Sequence, residues 1–170
     1  MRFRFVPMAI DYAAQSAAWV YDGLDEVYGH DPENPDDLAE LDPASWTNRI
    51  FAALDDAHSY VGIFQIDEAE GLLTIEVYLR PDLTGKGLGE SFLRAGIAFA
   101  LHERGCRATH ARLWVNAVNR RAIKVYERIG FRITGERQAA SSGPVEQRLL
   151  GENYLQYEMR LGLGDLAPEN

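Results

Sequence analysis

The stretch Leu79-Arg80-Pro81-Asp82-Leu83-Thr84-Gly85-Lys86-Gly87-Leu88-Gly89 decides the reading of this chain. Before it, residues 72–79 (LLTIEVYL) predict a strand, which Pro81 closes. After it, Leu88, Phe92, Ala95, Gly96, Phe99 and Glu103 follow the helical period, so residues 88–104 predict a helix. A strand thus enters a glycine turn that opens directly on a helix. Glycines lack Cβ and let backbone N–H groups approach a ligand closely, and a helix start adds about half a positive charge. Together they suit a pyrophosphate, although glycines also precede helices for geometric reasons alone. Spacing excludes two phosphate motifs: there is no GxxxxGK[ST], and Gly85-x-Gly87-x-Gly89 is not GxGxxG.

Downstream, residues 110–116 (HARLWVN) predict a strand and 119–129 a helix, with Ala122, Ile123, Tyr126 and Ile129 on one side. Gly130 ends that helix and a strand follows to Arg137. Asn116 stands at the strand's end, where its amide can meet a ligand's peptide-like arm. Asn119 is either a second such contact or simply the helix N-cap. Tyr126 lies two helical turns beyond Asn119 on the same face; it is either a functional hydroxyl or a core aromatic with a satisfied rim. The polar loop SSGPVEQ and a last strand at 153–161 complete the C-terminal part.

Upstream, Phe3 and Phe5 alternate with Arg2 and Arg4 in a short strand ended by Pro7. Residues 9–22 show helical spacing. Residues 28–45 form an acidic loop, with three prolines after Tyr28 and room for a short helix at 35–41. Residues 48–54 and 58–66 read as a hairpin, though SWTNRIFAAL also suits a helix. The order predicts an α/β or α+β sheet with helices on both faces. At 170 residues, with no visible linker or repeat, the chain is one domain, 1–170.

The net charge of −9 is unevenly spread. Residues 1–79 hold three bases against sixteen acids, residues 80–137 twelve against five, and the remainder two against five. Such asymmetry suggests two faces with different partners, or plain solubility. It argues against nucleic-acid binding. No apolar run approaches a membrane span, and the lone Cys106 suits a reducing compartment, so the expectation is a cytoplasmic protein. His30, His58, His102 and His110 are scattered without metal-ligand spacing, so no metal site is expected.

RPDLTGKGLG followed by WVNAVNRRAIKVYERIGF resembles the GNAT superfamily of N-acetyltransferases over about residues 60–137. The superfamily's first motif runs Arg/Gln-x-x-Gly-x-Gly/Ala and aligns with Thr84-Gly85-Lys86-Gly87-Leu88-Gly89; Thr84 departs from the usual Arg or Gln. The resemblance implies a central mixed, mostly antiparallel sheet with a V-shaped split for acetyl-CoA between strands 72–79 and 110–116. It implies contacts to the cofactor from Tyr78, Leu79 and Arg80, from the turn 84–89, and from Asn119 and Tyr126, to which Asn116 is added by its place at the strand's end. It also implies direct transfer of an acetyl group to a primary amine, releasing coenzyme A. Tyr126 is then the candidate acid for the thiolate. Glu76 is the candidate base, with the alternative that it points to solvent or an ion pair.

Between Asp22 and Asp42 lie nine acids and no Lys or Arg, accompanied by Trp19, Tyr21, Tyr28 and Trp46. A cationic acceptor approaching this half is expected: a polyamine, an aminoglycoside or a protein N-terminus. The competing reading is a solvated loop. The implied partners are a small-molecule amine or a protein N-terminus, without nucleic acid or membrane, and a homodimer is compatible with them. A non-catalytic acyl-CoA-binding sensor or interaction module is the alternative from another class.

Overall fold

The computed structural model describes residues 1–165. Its element order is β1 (Arg4–Pro7), α1 (Ile10–Ala17), α2 (Pro35–Glu40), β2 (Ile50–Leu54), β3 (Tyr60–Ala69), β4 (Leu72–Leu79), α3 (Gly89–His102), β5 (His110–Asn116), α4 (Arg120–Ile129), β6 (Arg132–Ala140), α5 (Pro144–Leu150) and β7 (Asn153–Gly162). The seven strands form one sheet in the order β1-β2-β3-β4-β5-β7-β6. All neighbours are antiparallel except β4 and β5.

That one parallel pair makes the split. β4 and β5 pair only through Leu72↔His110, Leu73↔Ala111 and Thr74↔Arg112. Beyond Thr74 the rest of β4 stays with β3, as far as Leu79↔Gly62, and the rest of β5 stays with β7, as far as Asn116↔Gln156. The two strands therefore diverge, and each leaves one edge of backbone groups facing the gap. At the apex, Arg112 donates to Thr74 Oγ1 at 2.8 Å.

Helices cover both faces. On one, Leu73, Ile75, Val77 and Leu79 of β4 join Phe5, Phe64, Phe92, Ile97, Phe99, Ile123 and Phe131 in the main core with α3 and α4. Gly96 lets α3 sit this close: a Cβ there would lie 2.3 Å from Phe64 Cε2. On the other face, α1 and the segment after it cover β2 and β3, through Ala13, Trp46 and Ile50 and through Tyr12, Trp19, Ala52 and Tyr60. Strand alternation turns Thr74, Glu76 and Tyr78 toward this second face.

The predicted order holds, with three revisions. The first helix stops at Ala17 instead of 22, because the chain departs to place Tyr21, whose hydroxyl donates to the Leu79 carbonyl at 2.8 Å. Of the ambiguous 48–54 segment, Ile50–Leu54 is a strand, and all five of those residues are buried, which erased the alternation. The polar loop SSGPVEQ contains α5, which begins with Pro144, a residue at home in a helix's first turn. The Val145 N–H is satisfied by Asp31 Oδ2 at 3.2 Å, from 114 positions away.

Candidate active site

The split opens into a cleft of about 700 Å³ that runs from the glycine turn to the acidic segment. At the turn, Gly85 and Gly87 have φ of 74° and 79°, a region that disfavours side chains. Nothing lies within 4 Å of where a Gly87 Cβ would stand. α3 starts at Gly89, and its N-cap position, Leu88, contributes no side-chain hydrogen bond. The first N–H groups of α3 are thus left without a side-chain cap, at residues that line the cleft. Backbone donors, a helix start and room for an anion fit a pyrophosphate.

Thr84, Gly85, Gly87, Leu88 and Gly89 line the cleft; Lys86 and Arg80 do not. The Thr84 hydroxyl closes the preceding turn by donating to the Pro81 carbonyl at 2.8 Å. Arg80 is committed elsewhere. Its N–H donates to the Val61 carbonyl at 2.9 Å, and its guanidinium holds the Tyr60 carbonyl and Asp82. Because Arg80 N–H points to β3, strand alternation aims the N–H groups of Val77 and Leu79 into the split and that of Tyr78 away from it. Of the predicted backbone trio, then, Leu79 offers an N–H to the gap, while Tyr78 contributes its side chain and Arg80 neither.

Asn116, Asn119 and Tyr126 come together on the opposite wall. Asn119 is the N-cap of α4, accepting from Ala122 N–H at 3.0 Å, and its Nδ2 donates to the Tyr28 hydroxyl at 2.7 Å. Buried Asn116 accepts from Gln156 Nε2 at 2.9 Å. Burial pushes the Tyr126 hydroxyl well above its ordinary pKa, with Tyr28 adding to the shift. Glu76 lines the cleft and accepts from the Tyr78 hydroxyl at 3.2 Å.

The acidic segment bridges the mouth instead of waving in solvent. Asp25 pairs with Arg121 at 2.5 Å and Glu26 with Arg148 at 2.6 Å. Asp31 is buried and also accepts from Glu33 N–H at 3.0 Å, and Asp42 accepts from Ala44 N–H at 2.9 Å. Asp37 accepts from the Asp31 N–H at 2.6 Å, so five of the nine acids have partners within the fold. Asp36 remains on the cleft wall, and Asp37 and Glu40 line a side chamber of about 120 Å³ behind Tyr28 and Tyr78. Trp19, Tyr21, Tyr28 and Trp46 all line this chamber. Loss of water at the chamber wall, with Glu76 and the two aspartates nearby, pushes the Glu40 carboxyl up to about 7.

Sequence reasoning missed Trp114, Arg137 and Tyr154, which line the cleft, and took Glu40, which lines the side chamber, only as one of the nine acids. Trp114 was legible: it alternates with core residues Leu113 and Val115 on the strand that ends in Asn116. Arg137 was not, for a reason of register given below. Cys106 stands outside both cavities, and its thiol is pushed up by burial and by Glu68. Among the described residues no group of three or more His, Cys, Asp or Glu could hold a metal ion, and no helix is long and apolar enough to cross a membrane.

The family described as the acetyltransferase (GNAT) family matches residues 14–131. A mycothiol acetyltransferase of Propionibacterium freudenreichii subsp. shermanii is 35% identical over 98 residues, covering 55% of this chain and 29% of that protein. An uncharacterised N-acetyltransferase of Methanocaldococcus jannaschii is 35% identical over 69 residues, covering 41% and 29%. The matches therefore span under a third of the length of these curated relatives. In fold, the chain is similar to the Vibrio cholerae spermidine N-acetyltransferase in complex with CoA and spermine, with a TM-score of 0.72, 15% identity and 96% of each chain covered. It is likewise similar to a GNAT-family acetyltransferase of Bacillus anthracis, at a TM-score of 0.70, 15% identity and 95% of each chain.

Proposed function

The chain belongs to the acetyltransferase (GNAT) family, and from that premise we propose that it moves the acetyl group of acetyl-CoA directly onto a primary amine that arrives as ammonium. One observation carries the reading: a strand split joins an open glycine turn at one end to carboxylates at the other, of which Asp36, Asp37, Glu40 and Glu76 stand outside the ion pairs of the described residues. Bound acetyl-CoA supplies an activated thioester; the chain's own groups supply the rest.

The turn 84–89 and the start of α3 hold the pyrophosphate, and the inward N–H groups of Val77 and Leu79 align the arm. The same N–H groups lie where negative charge develops on the thioester oxygen. Tyr126 is protonated at neutral pH, as an ordinary tyrosine is, and burial raises its pKa further, so it can deliver a proton to the departing sulfur. Glu76 and Glu40 flank Tyr78 on the acceptor face and can take the ammonium proton. At about 7, Glu40 is poised near the working pH of a general base. Direct transfer is favoured over a covalent acyl-protein because the cysteine lies outside the cleft with a raised pKa.

The carboxylates of Asp36, Asp37, Glu40 and Glu76 draw a cationic amine toward the split. Polyamines, aminoglycosides and protein N-termini all present such a group. A thiol-release screen with acetyl-CoA against amines, peptides and aminoglycosides tests the reading. The best acceptor should be an amine whose KM rises with ionic strength, since exposed charges are screened beyond about 8 Å at physiological salt. A neutral best acceptor with a salt-independent KM would overturn the acceptor assignment.

A further inference from the structure

Arg137 is a cation of the cleft wall whose role the proposed transfer leaves open. It lines the cleft, with its guanidinium 4.0 Å from the centre of the Trp114 ring. Its Nε donates to Gln156 Oε1 at 2.9 Å, and Gln156 in turn donates to Asn116 at the open end of β5. Stacking and this relay fix the plane of the fork. Carboxylates are plentiful on the same wall, yet the ion pairs among the described residues leave Arg137 out. Glu146, the acid on the adjoining helix, is already engaged by the Tyr154 hydroxyl and the Ser142 N–H. The outer edge of the fork, which can make two parallel bonds, is free for an anion.

The backbone goes out of register to put this residue here. β6 pairs Ile133 with Met159 and then Gly135 with Glu158, which marks a bulge, and the shifted register sets Arg137 opposite Gln156. Without the extra residue Glu136 would stand opposite Gln156, and a carboxylate would face the split in place of a guanidinium. The inserted residue therefore changes the sign of the charge on this wall.

We propose that Arg137 anchors a carboxylate of the acceptor, so that the preferred substrate is an amine that also carries a carboxylate: a free amino acid or a short peptide with a near C-terminus. This rests on the acetyl-transfer reading above and narrows its acceptor. The ammonium lies toward Glu76 and Tyr78, and the carboxylate is held over Trp114, across the width of the split. Both ends of a zwitterion then meet complementary charge.

The test uses the whole protein, acetyl-CoA and a panel of free amino acids, each paired with its carboxamide, with putrescine as an amine lacking a carboxylate. The best amino acid should have a KM at least about tenfold below that of its carboxamide, with similar kcat, as for an interaction equal in ground and transition states. In Arg137→Gln the acid-to-amide gap should close, and Arg137→Lys should restore part of it, since charge returns without the fork. A residue that merely packs on Trp114 would change acid and amide alike. Equal KM values for acid and amide in the wild type overturn the proposal even if the Gln variant fails to fold. Turnover of putrescine without acid-over-amide preference overturns the anchor and leaves acetyl transfer standing. No turnover of any amine takes both down.

Discussion

The cofactor end and the acceptor end of the cleft are made by different kinds of contact. At the end proposed for the cofactor, the groups offered to the pyrophosphate lie within one short run of sequence, 84–89, and are backbone groups. At the acceptor end, the parts come from residues far apart in sequence and act through side chains. Tyr28 meets Asn119 from 91 positions away, Asp25 meets Arg121 from 96, and Glu26 meets Arg148 from 122. Backbone chemistry is almost independent of side-chain identity, so the first end should tolerate Thr84 where the superfamily motif it resembles has Arg or Gln. The second end is where charge and shape can be retuned for a particular acceptor without disturbing cofactor binding.

Substitutions on each side should separate these functions, and the largest effect belongs to the turn. Gly87→Asp forces a side chain into φ of 79° and sets a negative charge beside the anion site. Acetyl-CoA affinity by calorimetry should fall by about 100-fold or more, taking the loss of one anion contact and the added repulsion together. Unchanged affinity in a folded variant would place the pyrophosphate elsewhere. Tyr126→Phe comes next. It should lower kcat by ~10²-fold and leave acetyl-CoA affinity nearly intact, as for loss of a general acid. Near-normal turnover would make Tyr126 a packing residue.

Legibility follows the same division. The sheet, the two central helices and the turn were readable because apolar period and glycine punctuation are local signals. The extent of the first helix was not, because Tyr21 leaves it for a hydrogen bond with β4. α5 was hidden because its first turn is supported by Asp31, which no local window contains. The acidic run looked like one surface from its composition. In the structure part of it braces the fold, and the part that faces the cleft is smaller. Arg137 was illegible because a bulge, not the sequence period, decides which face it takes.

Two smaller effects sharpen the contrast. Asn119→Ala removes both the α4 cap and the tether to Tyr28, and should cost about 1 kcal/mol. That is a fall in Tm of roughly 2–4 °C for a chain of this size. Asp25→Asn should cost less, since its pair with Arg121 is half exposed. Equal losses would mean that the charged contact, and not the cap, holds the bridge.

Glu40→Gln should give the smallest and most pH-dependent change. The folded-state pKa of about 7 stands above the ordinary 4.5, so the stability Glu40 contributes when protonated is present below 4.5 and lost as pH rises through 7. The Gln variant should therefore melt slightly higher than wild type at pH 8, with the difference vanishing toward pH 4.5. The gain is small because Glu40 is exposed, so solvent screens most of the effect. A difference of the opposite sign would mean that Glu40 has a cationic partner in the fold. In the same variant the acid limb of the rate profile near pH 7 should weaken if Glu40 takes the ammonium proton.

The central claim is that the split delivers acetyl from acetyl-CoA to an amine. A mass balance tests it most directly: free thiol and N-acetylated amine, measured together while the protein consumes acetyl-CoA in the presence of its best acceptor. The account predicts that the two appear in equal amounts and that no acetylated protein accumulates. Tight acetyl-CoA binding without any acetylated amine across the acceptor panel would contradict it, and would leave a cleft that senses the cofactor instead of using it.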